Sequence, residues 1–177
     1  MPLKRTAIDP DRLRLPVVSA WKDRWFLLAA GDFASGSYNL MTVAWGALGC
    51  MWGRPLAMIV VRPTRYTYAF FQKHRDFTLN RFPASFADKL NYCGSHSGRE
   101  VDKVRQTGLT PTASERVAAP SFEQAELVLE CRASYFSDFD PGHFLADYIE
   151  DNYPEKDYHR MFFGEILAAF GAASFAE

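Results

Sequence analysis

The stretch from Leu40 to Val61 constrains this chain more than any other part of it. It is apolar and long enough to suggest a membrane span, since about 20 apolar residues cross a bilayer as a helix. Gly53, Arg54 and Pro55 interrupt it, and a proline inside a helix removes one amide and clashes with the preceding turn. What remains is two short runs, Tyr38 to Gly46 and Leu56 to Val61, rich in Val, Met and Ile and bounded by Gly or Pro. Such runs suit central strands buried on both faces, so the stretch predicts sheet and no membrane partner.

The rest of the chain has more strands than helices. Val17 to Ala20 and Trp25 to Ala30 read as strands, Gly31 to Ser37 as a turn, and Asp76 to Phe82 as a further short strand. Between Leu127 and Tyr135 the odd positions are Leu, Leu, Cys, Ala and Tyr, against Val, Glu, Arg and Ser at the even ones. That alternation predicts a half-buried strand with one wet side. Tyr158 to Phe170 reads as a last long strand, bent at Gly164. Helices are expected from a Thr64 cap through Lys73, from about Ala84 (Phe86, Leu90 and Cys93 on one stripe), and after Ser97-Gly98-Arg99-Glu100, which has the form of a capping box. Asp140-Pro141 opens a fourth. The pattern favours a mainly β protein with α additions, a closed antiparallel barrel with short peripheral helices, over a doubly wound α/β sheet.

Composition narrows the function classes. The 177 residues hold 20 Lys and Arg against 21 Asp and Glu, a net charge of −1, so no nucleic-acid partner is expected, because phosphate-backbone binding needs uncompensated cations. Four Trp, eight Tyr and 15 Phe exclude a solvated coil. The length fits one domain, residues 1–177, with residues 1–15 as an N-terminal extension. The charged N-terminus is followed by Asp9-Pro10-Asp11-Arg12 rather than an apolar run, so no signal peptide is read there. Cys50, Cys93 and Cys131 are an odd number at wide spacing, which predicts three buried or semi-buried thiols and a cytoplasmic, reducing location.

Three segments could bear chemistry. Arg62-Pro63-Thr64-Arg65-Tyr66-Thr67 lies where a buried strand gives way to a helix, and its arginines and hydroxyls suit a phosphate; a capped helix with two solvated arginines is the plainer reading. Cys93 to Lys103 is a small-residue loop that would let a ligand near the backbone, or simply join two helices. Asn39 to Gly46 ends in small residues beside Trp45, which suits a planar heterocycle or core packing. His74, His143 and His159 show no metal-ligand spacing, and no hydrolase elbow, Walker loop or G-x-G-x-x-G occurs.

Taken in order, Asn39-x-Met41-Thr42-Val43-Ala44-Trp45-Gly46, Arg62-Pro63-x-Arg65-Tyr66-Thr67, Cys93-Gly94-x-x-Ser97-Gly98-Arg99-x-x-Asp102-Lys103 and Thr107-Gly108-Leu109-Thr110 resemble the blocks of the flavin reductase-like, or flavoredoxin-like, family. Tyr153 to Arg160, leading into the last strand, resembles it too, so the likeness spans roughly Pro16 to Phe170. The resemblance implies an FMN-binding split β-barrel, Greek-key-like, and a homodimer with non-covalent FMN near the subunit interface. By that likeness Arg62, Thr64, Arg65, Tyr66 and Thr67 would hold the phosphate. Asn39, Met41, Thr42, Val43, Ala44 and Trp45 would line the ring and ribityl chain, and Ser95, Ser97, Gly98 and Lys103 would close the other side. His159, with Tyr158, would reach the flavin of either subunit, and crowding of Trp45, Cys50, Met51 and Trp52 would narrow the space above the ring. The activity implied is an oxidoreductase passing electrons from NAD(P)H through FMN to an acceptor. No catalytic side chain is assigned, because the cofactor supplies the redox chemistry. The alternative is an FMN-binding electron carrier without NAD(P)H activity.

Overall fold

The computed structural model describes residues 4–176. Its frame is set by β2 (Phe26–Asp32), whose first five residues are shielded on both faces. Alternation along that strand sends Phe26, Leu28 and Ala30 into one apolar cluster and Leu27 and Ala29 into a second. The longer β9 (Leu127–Asp138) does the same, with Leu127, Leu129 and Cys131 on one side and Val128 on the other. The expected wet side of β9 is therefore absent over its first half: Val128 and Glu130 are buried, and exposure sets in at Arg132. Glu130 is tolerated there because both carboxylate oxygens accept backbone amides, from Glu115 at 2.9 Å and Arg116 at 2.6 Å.

The antiparallel ladder runs β3 (Ser37–Val43), β2, β6 (Asp76–Arg81), β9, β10 (Arg160–Gly171), β5 (Arg54–Val61) and β4 (Gly46–Met51), with β1 (Thr6–Ile8) added along the far half of β10. Among the described residues β3 and β4 do not pair with each other, so the barrel is split rather than closed. β10 changes register between Phe163 and Gly164, at the glycine where a bend is expected, and a Cβ there would press into the Phe77 ring. A small ribbon of β7 (Pro111–Thr112) and β8 (Ser121–Phe122) lies apart from the main sheet. Residues 5–8 are tied down: Ile8 pairs with Ala169, and the Arg5 guanidinium donates to the carbonyls of Phe122 and Ala125 at 2.7 and 2.6 Å.

Several expectations need correction. The apolar run to Gly46 is an edge strand, β3, followed by a separate one, β4, whose link to β5 is the pair Trp52-Gly53, both at positive φ. That is the geometry of a tight hairpin turn, which costs a tryptophan some strain but matches the twist of the strands. Val17–Lys22 is a helix, α1, not a strand; one turn suffices to bury Ala20 and Trp21, with the indole 4.7 Å from Phe26 and beneath Gly46. α2 (Tyr66–Phe71) begins at Arg65 with no side-chain cap, because the Thr64 hydroxyl donates to Asp157 instead. α3 (Ala87–Ser95) lies as expected, but no helix follows Ser97 directly. The amides of Glu100 and Val101 return to the Ser97 carbonyl as a turn, and α4 (Lys103–Thr107) starts later, capped by Asp102. Asp140-Pro141 opens only a short 3₁₀ turn, and Cys50 is exposed.

Candidate functional site

Three strand ends meet at one place. The Val43-to-Gly46 corner between β3 and β4, the end of β5 at Val61, and the start of β10, where Arg160 pairs with Val61, surround a cleft of about 310 Å³. Met41, Thr42, Val43, Ala44, Trp45 and Val60 make its largely apolar lining, with Arg62, Arg65 and His159 at its polar margin. A second cleft of about 230 Å³ adjoins it through Met41 and Arg65. Its walls come from the start of α2 (Thr64 to Thr67) and from the loop of His96 to Glu100, with Asn39 and Lys103 behind.

The loop is held close by local packing. A Cβ on Gly98 would fall onto the Asn39 amide oxygen, so a glycine is needed where the loop crosses β3. Asn39 itself is buried and donates to the Thr67 hydroxyl at 2.8 Å, which ties β3 to α2. Lys103, also buried, donates to the carbonyls of Leu40 at 2.8 Å and Cys93 at 2.7 Å, joining β3 to the end of α3. Burial lowers its pKa to about 8, with Arg65 acting in the same direction. Thr42 adds a third tie, its hydroxyl donating to the Leu90 carbonyl.

The two expected phosphate arginines part company. Arg62 pairs with Asp157 at 2.5 Å, donates to the Asn152 carbonyl at 2.7 Å, and lies 5.0 Å over the Tyr153 ring. It borders the strand-end cleft and not the second one. Arg65 borders both; its guanidinium is half-buried and donates to the Gly94 carbonyl. Arg99, to which no role was assigned from sequence, supplies the other cation: it donates to the Thr64 carbonyl at 3.2 Å and lies 4.9 Å over the Tyr66 ring. Its signal was present in the Gly98-Arg99 pair of the loop block. Ser97 lines the second cleft and its hydroxyl accepts the Arg99 amide at 3.2 Å, whereas Ser95 turns back on its own helix, donating to Asn91 at 2.9 Å, and lines neither cleft.

His159 is buried at the mouth of the strand-end cleft, 5.2 Å from Trp45 between ring centres, with Nδ1 2.8 Å from the Tyr153 hydroxyl. Burial, followed by Arg62, pushes its pKa down to about 4. Tyr158 does not join it; its hydroxyl donates to Glu150 at 2.7 Å. Of the residues expected to crowd the cleft, Trp45 lines it, while Cys50, Met51 and Trp52 lie toward the distal β4–β5 hairpin and Trp52 packs near Tyr135 and Phe163. Among the described residues no group of three or more His, Cys, Asp or Glu could hold a metal, and no helix is long and apolar enough to cross a membrane.

Solved structures share this architecture. Flavoredoxin of Desulfovibrio vulgaris (Miyazaki F) superposes with a TM-score of 0.66 at 23% identity, covering 92% of this chain and 73% of that one. Flavoredoxin from Methanosarcina acetivorans gives 0.67 at 26% identity over 85% and 69%. An FMN-binding protein from Thermus thermophilus, solved with 1-cyclohex-2-enone, gives 0.66 at 22% identity over 89% and 76%. No curated protein sequence matches the chain. The model of the flavin reductase like domain matches residues 22–174, nearly the whole barrel, and the chain belongs to that family.

Proposed function

We propose that this protein is a flavin-dependent oxidoreductase that holds FMN non-covalently along the two joined clefts and takes its electrons from NAD(P)H. One observation supports this reading above the others: an apolar cleft edged by a strand corner runs, through Met41 and Arg65, into a polar cleft where Arg65, Arg99 and Lys103 converge with Thr64 and Ser97. The donor chemistry fits the group. Three cations and the Ser97 hydroxyl, against Glu100 as the carboxylate of the same lining, suit a phosphate dianion, and the uncapped start of α2 leaves amides there unspent. The Met41 to Trp45 edge offers backbone groups and an apolar surface to a flat ring.

When bound, FMN supplies the two-electron redox chemistry. The chain's own residues hold and screen. Arg65, Arg99 and Lys103 bind the anionic tail, with Ser97 adding a hydroxyl donor. Asn39, fixed by Thr67 beneath Gly98, sets the floor between tail and ring. Trp45 and Val60 exclude water from one side of the ring, and Arg62, already neutralised by Asp157, borders it without adding a full charge.

NAD(P)H dependence rests on family membership. So does a homodimer, with support from Trp52 at the β4–β5 turn and Tyr135 and Phe136 on β9, large aromatics left exposed. A single cytoplasmic domain over residues 1–177 completes the reading. The test is the visible spectrum of the purified protein, followed by rapid mixing with NADH and with NADPH. A flavin spectrum that bleaches with either nucleotide supports the oxidoreductase. A flavin reduced by dithionite but untouched by millimolar nucleotide leaves an electron carrier, and a colourless protein that takes up no FMN defeats both.

A further inference from the structure

We propose that the chain carries a nucleoside site beyond the loop-end cleft: a third cleft, over the first half of β3, takes the base and the unphosphorylated ribose of a dinucleotide whose phosphates lie among Arg65, Arg99 and Lys103. Which dinucleotide supplies that half, a flavin or a nicotinamide one, rests on the reading above; the nucleoside site itself does not.

The geometry starts from β3. Its last residues, Met41 to Val43, border the strand-end cleft, Asn39 and Met41 the loop-end cleft, and Ser37 to Leu40 the third. The seven residues of the strand cover roughly 20 Å, so a ligand laid along it meets the three in turn. The third cleft, of about 540 Å³, is larger than either of the others. It shares Asn39, Tyr66, Gly98 and Lys103 with the loop-end cleft. At that divide Gly98 lies so close to Asn39 and Tyr66 that it has no room for a Cβ, and it raises no side chain in a ligand's way.

The walls suit a nucleoside rather than a further phosphate. Among the described residues Lys103 is the only cation of the lining, and its ammonium already donates to the Leu40 and Cys93 carbonyls. Asp102 brings a carboxylate instead. One of its oxygens accepts the Arg105 amide at 3.0 Å, and no described lysine, arginine or histidine forms an ion pair with it, so its second oxygen and its charge are unspent. Burial first, and then the Asp102 charge, push the Tyr38 phenol up, which sets the two groups near each other and keeps that hydroxyl protonated. Neither the Ser37 nor the Tyr38 hydroxyl has a partner among the described residues. Tyr66 and Phe70, half-buried and 5.1 Å apart between ring centres, add apolar surface.

Each of these groups answers to one part of a nucleoside. A free carboxylate accepts from the 2′- and 3′-hydroxyls of a ribose, and the neighbouring Ser37 and Tyr38 hydroxyls complete the polar side. The same carboxylate repels a phosphate at the 2′ position, because like charges brought together cost affinity. The rings of Tyr66 and Phe70 give a planar base a surface to pack on.

Calorimetric titration of flavin-free protein tests this, with adenosine nucleotides as probes because both kinds of dinucleotide end in adenosine. Adenosine 5′-monophosphate should bind about tenfold more tightly than inorganic phosphate, and FMN, but not riboflavin, should displace it. Adenosine 2′,5′-bisphosphate should bind about tenfold less tightly than the monophosphate. Asp102→Asn, which keeps the oxygen that caps α4, should shrink that gap to less than about threefold. Tyr38→Phe should weaken the monophosphate about threefold and leave the gap in place. Two further pairs read the source. FAD bound about tenfold more tightly than FMN assigns the nucleoside to the flavin, whereas equal flavins with NADH favoured about tenfold over NADPH in FMN-loaded protein assign it to the electron donor. Monophosphate no tighter than inorganic phosphate, bisphosphate as tight as monophosphate, or no preference in either of the last two pairs overturns the proposal. Protein that binds the monophosphate as expected but takes up no FMN overturns the flavin reading and leaves the nucleoside site standing.

Discussion

The two ends of the groove treat their cations in opposite ways. At the strand end, Arg62 is consumed by Asp157 and by the face of Tyr153, so its charge is cancelled inside the protein. At the loop end, Arg65 and Arg99 donate to carbonyls, of Gly94 and of Thr64, which fix their direction but leave their charge uncompensated. Residues three apart in sequence, Arg62 and Arg65, thus differ in what they can offer a ligand. A neutralised guanidinium shapes a wall, whereas a guanidinium oriented by neutral acceptors remains available for an anion.

The largest effect should come from breaking the loop end. Arg65→Ala is expected to weaken FMN about 100-fold, close to 2.7 kcal/mol, while riboflavin, which lacks the phosphate, changes less than about threefold. Arg62→Ala should act differently: releasing Asp157 and Tyr153 loosens the strand end, and FMN and riboflavin should both weaken about tenfold. Calorimetric titration of both ligands into both variants checks this. If Arg62→Ala discriminates between the ligands more than Arg65→Ala does, the contrast between the ends is wrong.

A smaller effect comes from Lys103, which borders the loop end from behind. Its pKa in the free protein is about 8, lowered chiefly by burial, and a phosphate dianion nearby would raise it. Binding then takes up a proton wherever the free lysine is already neutral, so FMN affinity should be highest below pH 8 and fall about fivefold between pH 7 and 9. Riboflavin should show no such slope, and Lys103→Met should flatten the slope for FMN. The same shift makes the free protein gain stability as pH rises from about 8 toward the ordinary lysine value of 10.5, because the unfolded chain binds the extra proton across that window. A slope for riboflavin equal to that for FMN would remove Lys103 from the anion's surroundings.

Much of this contrast lay beyond the reach of pattern. The strand corner from Met41 to Trp45 and the start of α2 were legible because small residues, a tryptophan and paired arginines cluster within a few positions. The fate of Arg62 was not, since its partner Asp157 lies 95 residues away and is brought near by the pairing of β10 with β5. α1 was misread because a run as short as Val17-Val18-Ser19-Ala20 fits a strand as well as a helical turn, and only Trp21 beneath Gly46 decides between them. The wet face expected for β9 failed for a related reason. Glu130 looks like a solvent residue, yet two backbone amides from a distant loop satisfy its carboxylate, and local sequence carries no trace of them. The serine at position 97 matched a helix cap in spacing, but Gly98 had to stay against Asn39, which turned the chain into a loop and delayed the helix to Asp102.

The smallest effect separates two serines that sequence placed together. Ser97 lines the loop-end cleft and its hydroxyl oxygen accepts the Arg99 amide, so it both faces a ligand and helps aim a cation. Ser95 spends its hydroxyl on the last turn of α3 and touches neither cleft. Ser97→Ala should therefore weaken FMN about threefold, the worth of one modest hydrogen bond, and leave riboflavin nearly unchanged. Ser95→Ala should leave both within experimental error, because its loss costs only a bond inside an exposed helix end. Equal losses from the two variants would mean that the loop rearranges around the ligand and that the geometry separating Ser95 from Ser97 does not survive binding.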